Sequence, residues 1–431
     1  MLDKRARTAV LVLTLLSALA PAALARPAGP KPRRETRRLY QVYKEDGRGG
    51  ARIGFIDKTG RLVIGFDKLP EGTVRAGEFH DGRAFVVVKP RGGDIYSPRF
   101  GYVDETGALV IKPRFISAHD FGEGLAFVMG TDFQGFVDRQ GRPVIKFDFN
   151  TSDRAREFHE GLAAVAQLSV DSEGRAASLL WGYVDRSGAW VVRPRYHFAD
   201  DFSEGLAGVF DGLKYGFINR AGEMVIAPRF VPDWSNHYVV AAGRFSEGLA
   251  CVNVGGAYGY IDKRGDFVIP PRFSRARNFS EGLAWVVTAD ETTTLSNGAG
   301  WIDRAGRWAV NSVDGRKLSP ETPEFFVYAI GLPDRDYSEG LVPFFVYEGD
   351  DKILNGYINK RGEAVIKPSA EFNIVGPFVG GVAKVTFHGD WAPGGVEPYG
   401  YIDKTGRLIW RARQGRAPSR ARAPRGARNT L

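Results

Sequence analysis

Sulfur is nearly missing from this chain, which carries one Cys and three Met among 431 residues. A lone Cys251 cannot close an intramolecular disulfide, and no Cys-based zinc or iron–sulfur site can be assembled around it. Long apolar runs are missing as well: nothing beyond the short stretch 9–19 approaches the roughly 20 apolar residues of a membrane-spanning helix. The six histidines never take the His-Glu-x-x-His spacing of a zinc protease. Neither a Gly-x-Ser-x-Gly elbow nor a phosphate-binding Gly-Lys-Ser/Thr loop occurs. Lys58-Thr59-Gly60 and Lys404-Thr405-Gly406 spell a triad of penicillin-binding enzymes, but without the Ser-x-x-Lys that accompanies it. What is plentiful is glycine (54), proline (24) and aromatic side chains (12%), a composition that suits short strands joined by tight turns better than helices.

The ends differ from the middle. Lys4, Arg5 and Arg7 precede the apolar run 9–19, and Ala23-Leu24-Ala25 places small residues two apart, so a secretory signal over residues 1–25 with cleavage after Ala25 is expected. That makes the mature protein periplasmic or extracellular, and the Ala- and Arg-rich chain has a bacterial cast. The net charge of +9 is carried by the ends: residues 1–38 contribute +7 and residues 411–431 another +7, leaving −5 over residues 39–410. Residues 26–38 read as a basic Pro/Arg-rich linker and residues 411–431 as a disordered Arg-rich tail, both too poor in apolar side chains to fold. A nucleic-acid partner is therefore not expected. Peripheral contact of the tail with anionic surfaces is, at about 1 kcal/mol per Lys or Arg near such a surface.

Residues 39–410 are dominated by self-similarity. A first element, Gly, aromatic, Ile/Val, Asp/Asn, two residues, Gly and an apolar pair, begins at Gly54 (GFIDKTGRLVI), Gly101, Gly135, Gly182, Gly216, Gly259, Gly300, Gly356 and Gly400 (GYIDKTGRLIW). The mean spacing is about 43 residues, in the range of solenoids, propellers and arrays. A second element stands between copies: FHDGRAFVV from Phe79, FGEGLAFV from Phe121, FHEGLAAV from Phe158, FSEGLAGV from Phe202, FSEGLACV from Phe245 and FSEGLAWV from Phe279, with weaker copies at Tyr337 and Phe378. In the first element Asp57 can bond the backbone two residues on, and Gly60 can take the positive φ that closes a type I turn with a G1 bulge. Each unit then reads as a three-stranded antiparallel β-meander of order EGLAxV, GYID, xxVI. One unit is too small to bury its apolar face, so neighbours must stack. Nine units exceed the four to eight blades typical of closed propellers, and the shortest spacing, 34, leaves little chain for a fourth strand. A curved open array, a solenoid, is therefore preferred over a closed β-propeller.

These residues resemble the WG-repeat (KWG-repeat) family of bacterial envelope and secreted proteins. The aromatic-Gly pair that names the family stands here as Trp181-Gly182, Tyr215-Gly216 and Tyr258-Gly259. The resemblance covers about residues 39–410 and implies an all-β repeat with a binding or structural role; it carries no catalytic residues. The last hairpin, ending at Trp410, also looks like the tryptophan-docking motif of quinoprotein propellers, which keeps the closed ring in play.

The repeated Asp and the repeated Glu (Glu123, Glu160, Glu204, Glu247, Glu281, Glu339) are read as turn residues, since a side chain demanded in every unit answers to unit geometry. Asn219 and Asn359 replace the Asp, which fits an Asx turn better than a calcium site. No metal or cofactor is expected. What varies is the connection from EGLAxV to GYID, long at 89–99, 167–180, 288–299, 347–355 and 387–399, and such insertions fall on one face that is often used for binding. Tyr96 and Trp391 in these loops, with Trp234 and His237 in the enlarged loop 231–242, are the candidate partner-binding residues, because rigid aromatics carry much interface energy. The sequence thus points to an exported, non-enzymatic binding or scaffold protein with a protein, peptide or glycan partner. The rival is a periplasmic enzyme on a propeller, a hydrolase or a quinoprotein-like oxidoreductase.

Overall fold

A computed structural model describes residues 38–45, 50–89, 98–149, 151, 154–170, 173, 175–231, 242–289, 296–313, 316–317, 336–348, 352–387 and 398–412. No residue among them is helical. Each of the nine GYID-type copies is the middle strand of an antiparallel meander; we number the units 1 to 9 from Gly54 to Gly400. Unit 5 shows the pattern. Leu206–Phe210 pairs with Tyr215–Asn219, with Leu206 opposite Asn219 and Phe210 opposite Tyr215. The middle strand pairs in turn with Met224–Phe230, Phe217 lying opposite Ile226.

The turn chemistry read from sequence is what closes the second hairpin. Gly60 N–H donates to Asp57 O and Asp57 N–H to Arg61 O, with Gly60 at φ 81°. The middle-strand Gly answers a different demand. The partner strand bends across it at a register shift between Trp181 and Tyr183, and a Cβ on Gly182 would lie 2.3 Å from Val192 O. The outer strand alternates exposed and buried residues, as in Leu109–Phe115, and Pro113 with exposed Lys112 and Arg114 blunts that edge against further pairing.

Stacking is built on one repeated contact. The aromatic of each middle strand meets the aromatic that opens the next unit's second element: Phe55–Phe79, Tyr102–Phe121, Phe136–Phe158, Tyr183–Phe202, Phe217–Phe245, Tyr260–Phe279, Trp301–Tyr337 and Tyr357–Phe378, with centroids 4.8 to 5.6 Å apart and mostly edge to face. Where the middle-strand residue is Tyr, its hydroxyl also donates across the seam, as from Tyr102 to His119 O at 2.7 Å and from Tyr183 to Asp200 O at 2.6 Å. Such rings contribute about 0.5–1.5 kcal/mol per pair beyond their buried area.

The ninth contact closes the circle. Tyr40, on the first strand Tyr40–Glu45, lies opposite Ile56, the register position that Ala207 holds opposite Ile218 in unit 5, and its ring stands 5.5 Å from Tyr401 of unit 9. Tyr40 Oη donates to Val379 O at 2.6 Å, Tyr401 Oη to Gln41 O at 2.8 Å, and Tyr43 N–H to Tyr399 Oη at 2.8 Å. The open array preferred from sequence is thereby corrected to its alternative, a propeller-like ring. Eight sheets of three to six strands make it up, the six-stranded one holding both units 6 and 7, which share the continuous strand Phe267–Ala276. A fourth strand does form, even where the spacing is 34, because two residues suffice: Ser117–Ala118 pairs with unit 3 and Phe198–Ala199 with unit 5.

Two substitutions separate the parts of the closure. Tyr401→Phe keeps the ring contact and loses one hydrogen bond, so a loss of about 1 kcal/mol is expected. Tyr40→Ala removes both and should cost about 3–5 kcal/mol, the range of buried aromatic truncations. Urea unfolding checks both, and equal small losses would mean that closure contributes little to stability.

Candidate functional site

The first elements of a site are the acids, and most of them are committed to turns. Asp303 Oδ1 accepts from the N–H groups of Ala305 and Arg307, and Arg307 Nε reaches Oδ2 at 2.9 Å. Those bonds, the Arg307 N–H foremost, hold the Asp303 carboxyl below its usual range; at Asp185 the Ser187 hydroxyl is the largest cause of the same shift. The Asp-to-Asn exchange goes with the residue four on, except in unit 6, where Asp262 faces Asp266 and Arg264 contacts both. In units 1, 3, 7 and 9 the residue four on is Arg, which bonds the Asp; in units 5 and 8 it is Glu, and Asn219 and Asn359 each donate Nδ2 to it, at 2.8 Å, where an Asp would repel.

The repeated Glu does more than the sequence reading allowed. Glu-Gly does not simply open a strand; it forms the two central residues of a tight hairpin turn in which both have positive φ, as at Glu204 (55°) and Gly205 (87°). The same holds for Asp81, Glu123, Glu160, Glu247, Glu281 and Glu339. A non-Gly residue there costs roughly 1–2 kcal/mol, and each carboxylate offsets it by accepting from the turn Gly N–H of the next unit. The links run Asp81 to Gly124, Glu123 to Gly161, Glu160 to Gly205, Glu204 to Gly248, Glu247 to Gly282, Glu281 to Gly340 and Glu339 to Gly381, at 2.6 to 3.1 Å. Basic residues of the next unit complete them: Arg139 with Asp81, Arg186 with Glu123, Lys263 with Glu204, Lys360 with Glu281 and Lys404 with Glu339. Ser203, Ser246, Ser280 and Ser338 add a hydroxyl bond to the following unit's backbone. This whole face is a belt of bonds between neighbours.

One convergence of titratable groups stands apart, at the seams of units 4, 5 and 6. Asp201 Oδ2 lies 3.7 Å from Arg156 and 3.8 Å from both His159 and Arg244. Asp200 sits beside it, 3.9 Å from Arg156. Burial pushes the Asp200 carboxyl up to about 6, opposed by Arg156 and reinforced by Asp201. The Arg156 guanidinium lies over Phe198 and Trp181, at 5.0 and 5.7 Å. A second His–Asp pair, His80 with Asp120 at 3.7 Å, occupies the equivalent seam of units 2 and 3. These contacts are longer than hydrogen bonds. They balance charge between neighbours, and sequence spacing alone could not have placed Arg156, Asp201 and Arg244 together. Among the described residues no group of three or more His, Cys, Asp or Glu could hold a metal ion.

The opposite face carries the connections from EGLAxV to GYID, and here the loop reading is corrected. Residues 167–180 are mostly a lengthened hairpin, Leu162–Val170 against Ala176–Asp185 with Gln167 opposite Leu180. Residues 347–355 are likewise strand at both ends, Glu348 pairing with Lys352. Unit 6 instead turns at once through Gly255 and Gly256. Tyr96, Trp234, His237 and Trp391 all lie outside the described residues, as do residues 1–37 and 413–431.

With the geometry in place, the family can be stated. The WG containing repeat matches residues 100–129, 135–167, 181–212, 215–231, 258–290 and 356–391. The chain belongs to the WG-repeat family. Units 1, 7 and 9 form the same hairpins although their GYID elements fall outside those matches. Comparison with the curated proteins finds no significant match. Among solved structures, a eukaryotic initiation factor is 10% identical with a TM-score of 0.50, over 77% of this chain and 85% of that one. Apo AztD from Citrobacter koseri is 12% identical with a TM-score of 0.35, over 77% and 92%. At such identity the likeness concerns the fold alone.

Two measurements follow from the site. Asn219→Asp should cost roughly 0.5 kcal/mol, a screened surface repulsion from Glu223, and Glu223→Arg in the same chain should restore it; a double-mutant cycle by urea unfolding reads the coupling. Asp200 has the opposite sign from the turn acids. Its raised value means that a penalty is present above pH about 6 and fades as the pH falls toward the ordinary carboxylate value. Asp200→Asn should therefore stabilise the ring at pH 8 by up to about 3 kcal/mol and much less at pH 5; the same gain at both values would contradict the buried charge.

Proposed function

We propose that the chain is an exported, non-enzymatic binding or scaffold protein of the bacterial envelope, which contacts a protein, peptide or glycan through the face of variable hairpins and loops. The observation that carries this reading is the contrast between the two faces. On one, the polar groups of the repeated turns are bonded within their own turn or to the next unit. On the other, units differ in how far their hairpins extend, from the immediate turn at Gly255-Gly256 to the nine-residue strand Leu162–Val170. A rigid ring with one invariant and one variable face is suited to presenting contacts spread over several units, the mode of repeat proteins that bind by their surface. The enzyme reading would have to draw on Asp200, Asp201 and His159, and the two carboxylates already face Arg156 and Arg244. The Arg-rich tail 411–431 is proposed to add salt-sensitive contact with anionic surfaces.

Pull-downs from envelope extracts with the full chain, a chain lacking 387–399, Trp391→Ala, and a chain ending at 410 test the proposal together. Loss of binding by roughly 1–2 kcal/mol with Trp391→Ala, at unchanged urea midpoint, is the expected result. Binding that survives loss of the loop but disappears with the tail and with added salt would reduce the ring to a spacer. Export is checked separately by the mass of the mature protein, which should begin after Ala25.

A further inference from the structure

The seven carboxylate links among the described residues begin at the turn of unit 2 and end at unit 9, and none of them involves unit 1. Aligned by its register, Arg37-Arg38 stand ahead of Leu39 where units 2 to 9 carry Xaa-Gly. On its other side unit 9 presents Gly380-Gly381, which has no carboxylate to offer Lys58, the basic residue of unit 1. The side chains follow this break. Unit 2 carries Glu105 where units 3 to 9 carry Arg or Lys, because unit 1 supplies no acidic turn to pair with.

A side chain at Gly380 would press on the entering strand. A Cβ there would lie 2.5 Å from Tyr40 Oη and 3.2 Å from Arg38 Cδ, so the entering strand occupies the space in which a latch would stand. The rings at the seam with unit 9 are less deeply buried than elsewhere: beside six buried side chains the cluster draws on the half-buried Tyr43, Phe66, Ile409 and Trp410, where the seams from unit 3 to unit 9 hold ten to twelve buried ones. What holds unit 1 instead is a set of hydrogen bonds and rings: Tyr40 to Val379 O, Tyr401 to Gln41 O, Tyr43 N–H to Tyr399, and Gln41 Nε2 to Ala76 O at 3.0 Å.

We propose that unit 1 is a releasable strap, and that the ring opens and closes at its seam with unit 9 while units 2 to 9 stay together as a latched arc. Opening exposes the aromatic edge formed by Tyr399, Tyr401 and Trp410 and frees the Gly380 turn.

Amide hydrogen exchange of the full chain, read by mass spectrometry, tests this. In the wild type, amides of Tyr40–Glu45 and Ala51–Ile56 should exchange at least about tenfold faster than the equivalent Leu206–Phe210 and Tyr215–Asn219, since local opening sets the rate. Tyr40→Ala should speed unit 1 about a further tenfold and leave units 4 to 7 unchanged. Gly380→Glu should do the same by placing a carboxylate in the strap's seat. Equal protection of all nine units in the wild type would overturn the proposal without any variant being made, and so would a Gly380→Glu chain whose unit 1 is as protected as before. Release of units 4 to 7 together with unit 1 in Tyr40→Ala would overturn it as well, since the ring would then be one cooperative body.

Discussion

The edge-to-face contact between a middle-strand aromatic and the opening aromatic of the next unit is the interaction on which the rest depends. A meander of three short strands has one buried face and nothing of its own to cover it. The ring on the next unit supplies that cover, and its position fixes how far one sheet turns relative to its neighbour. The contact repeats eight times, and at the ninth seam a tilted Tyr40–Tyr401 pair covers the two faces that an open array would have exposed. Closure comes from an aromatic contact of the same kind, made by a first strand that lacks the repeated motif and carries Tyr40 at the register position where unit 5 has Ala207.

The polar chemistry follows from the aromatic spacing. Once adjacent units are held close, the turn N–H groups of one lie within reach of the turn side chain of another. A Glu with positive φ is locally unfavourable, and it is tolerated because its carboxylate gains charge-assisted bonds from the neighbouring Gly N–H and, in most units, a Lys or Arg. Local strain and intersubstructure bonding are one feature seen at two scales.

Much of this was legible in the repeat. The Asx turn at Asp57, the positive φ of Gly60 and the three-strand meander follow from residue types at fixed offsets. The hidden parts are those in which a residue acts outside its own unit. Nothing in the string FSEGLAGV says that Glu204 bonds Gly248, because the partner lies one repeat away and is another copy of the same Gly. Open array or ring could not be read either, since the strand that decides it, Tyr40–Glu45, lacks the FSEG motif and matches the repeat only in outline. Its evidence was in Tyr40 and Tyr43, whose hydroxyl and amide bonds appear only once unit 9 is set beside them. The convergence of Arg156, Asp201 and Arg244 was hidden for the same reason.

A chain of near-identical units must also avoid pairing the wrong neighbours, a characteristic failure of repeat proteins. The exceptions in the sequence address that problem. Arg–Asp pairs stand at the seams of units 4–5 and 7–8 and His–Asp pairs at those of units 2–3 and 4–5, so the seams that carry them are set apart from those that do not. Glu105 would repel the acidic turn that every seam from unit 2 to unit 8 presents to its follower, so unit 2 fits behind unit 1 and poorly elsewhere. Gly380 accepts only a unit that enters as unit 1 does, since a Phe-Ser-Glu-Gly turn has no Tyr40 to fill the space above it. The repeated residues make any two units compatible, and the few departures from the repeat fix their order.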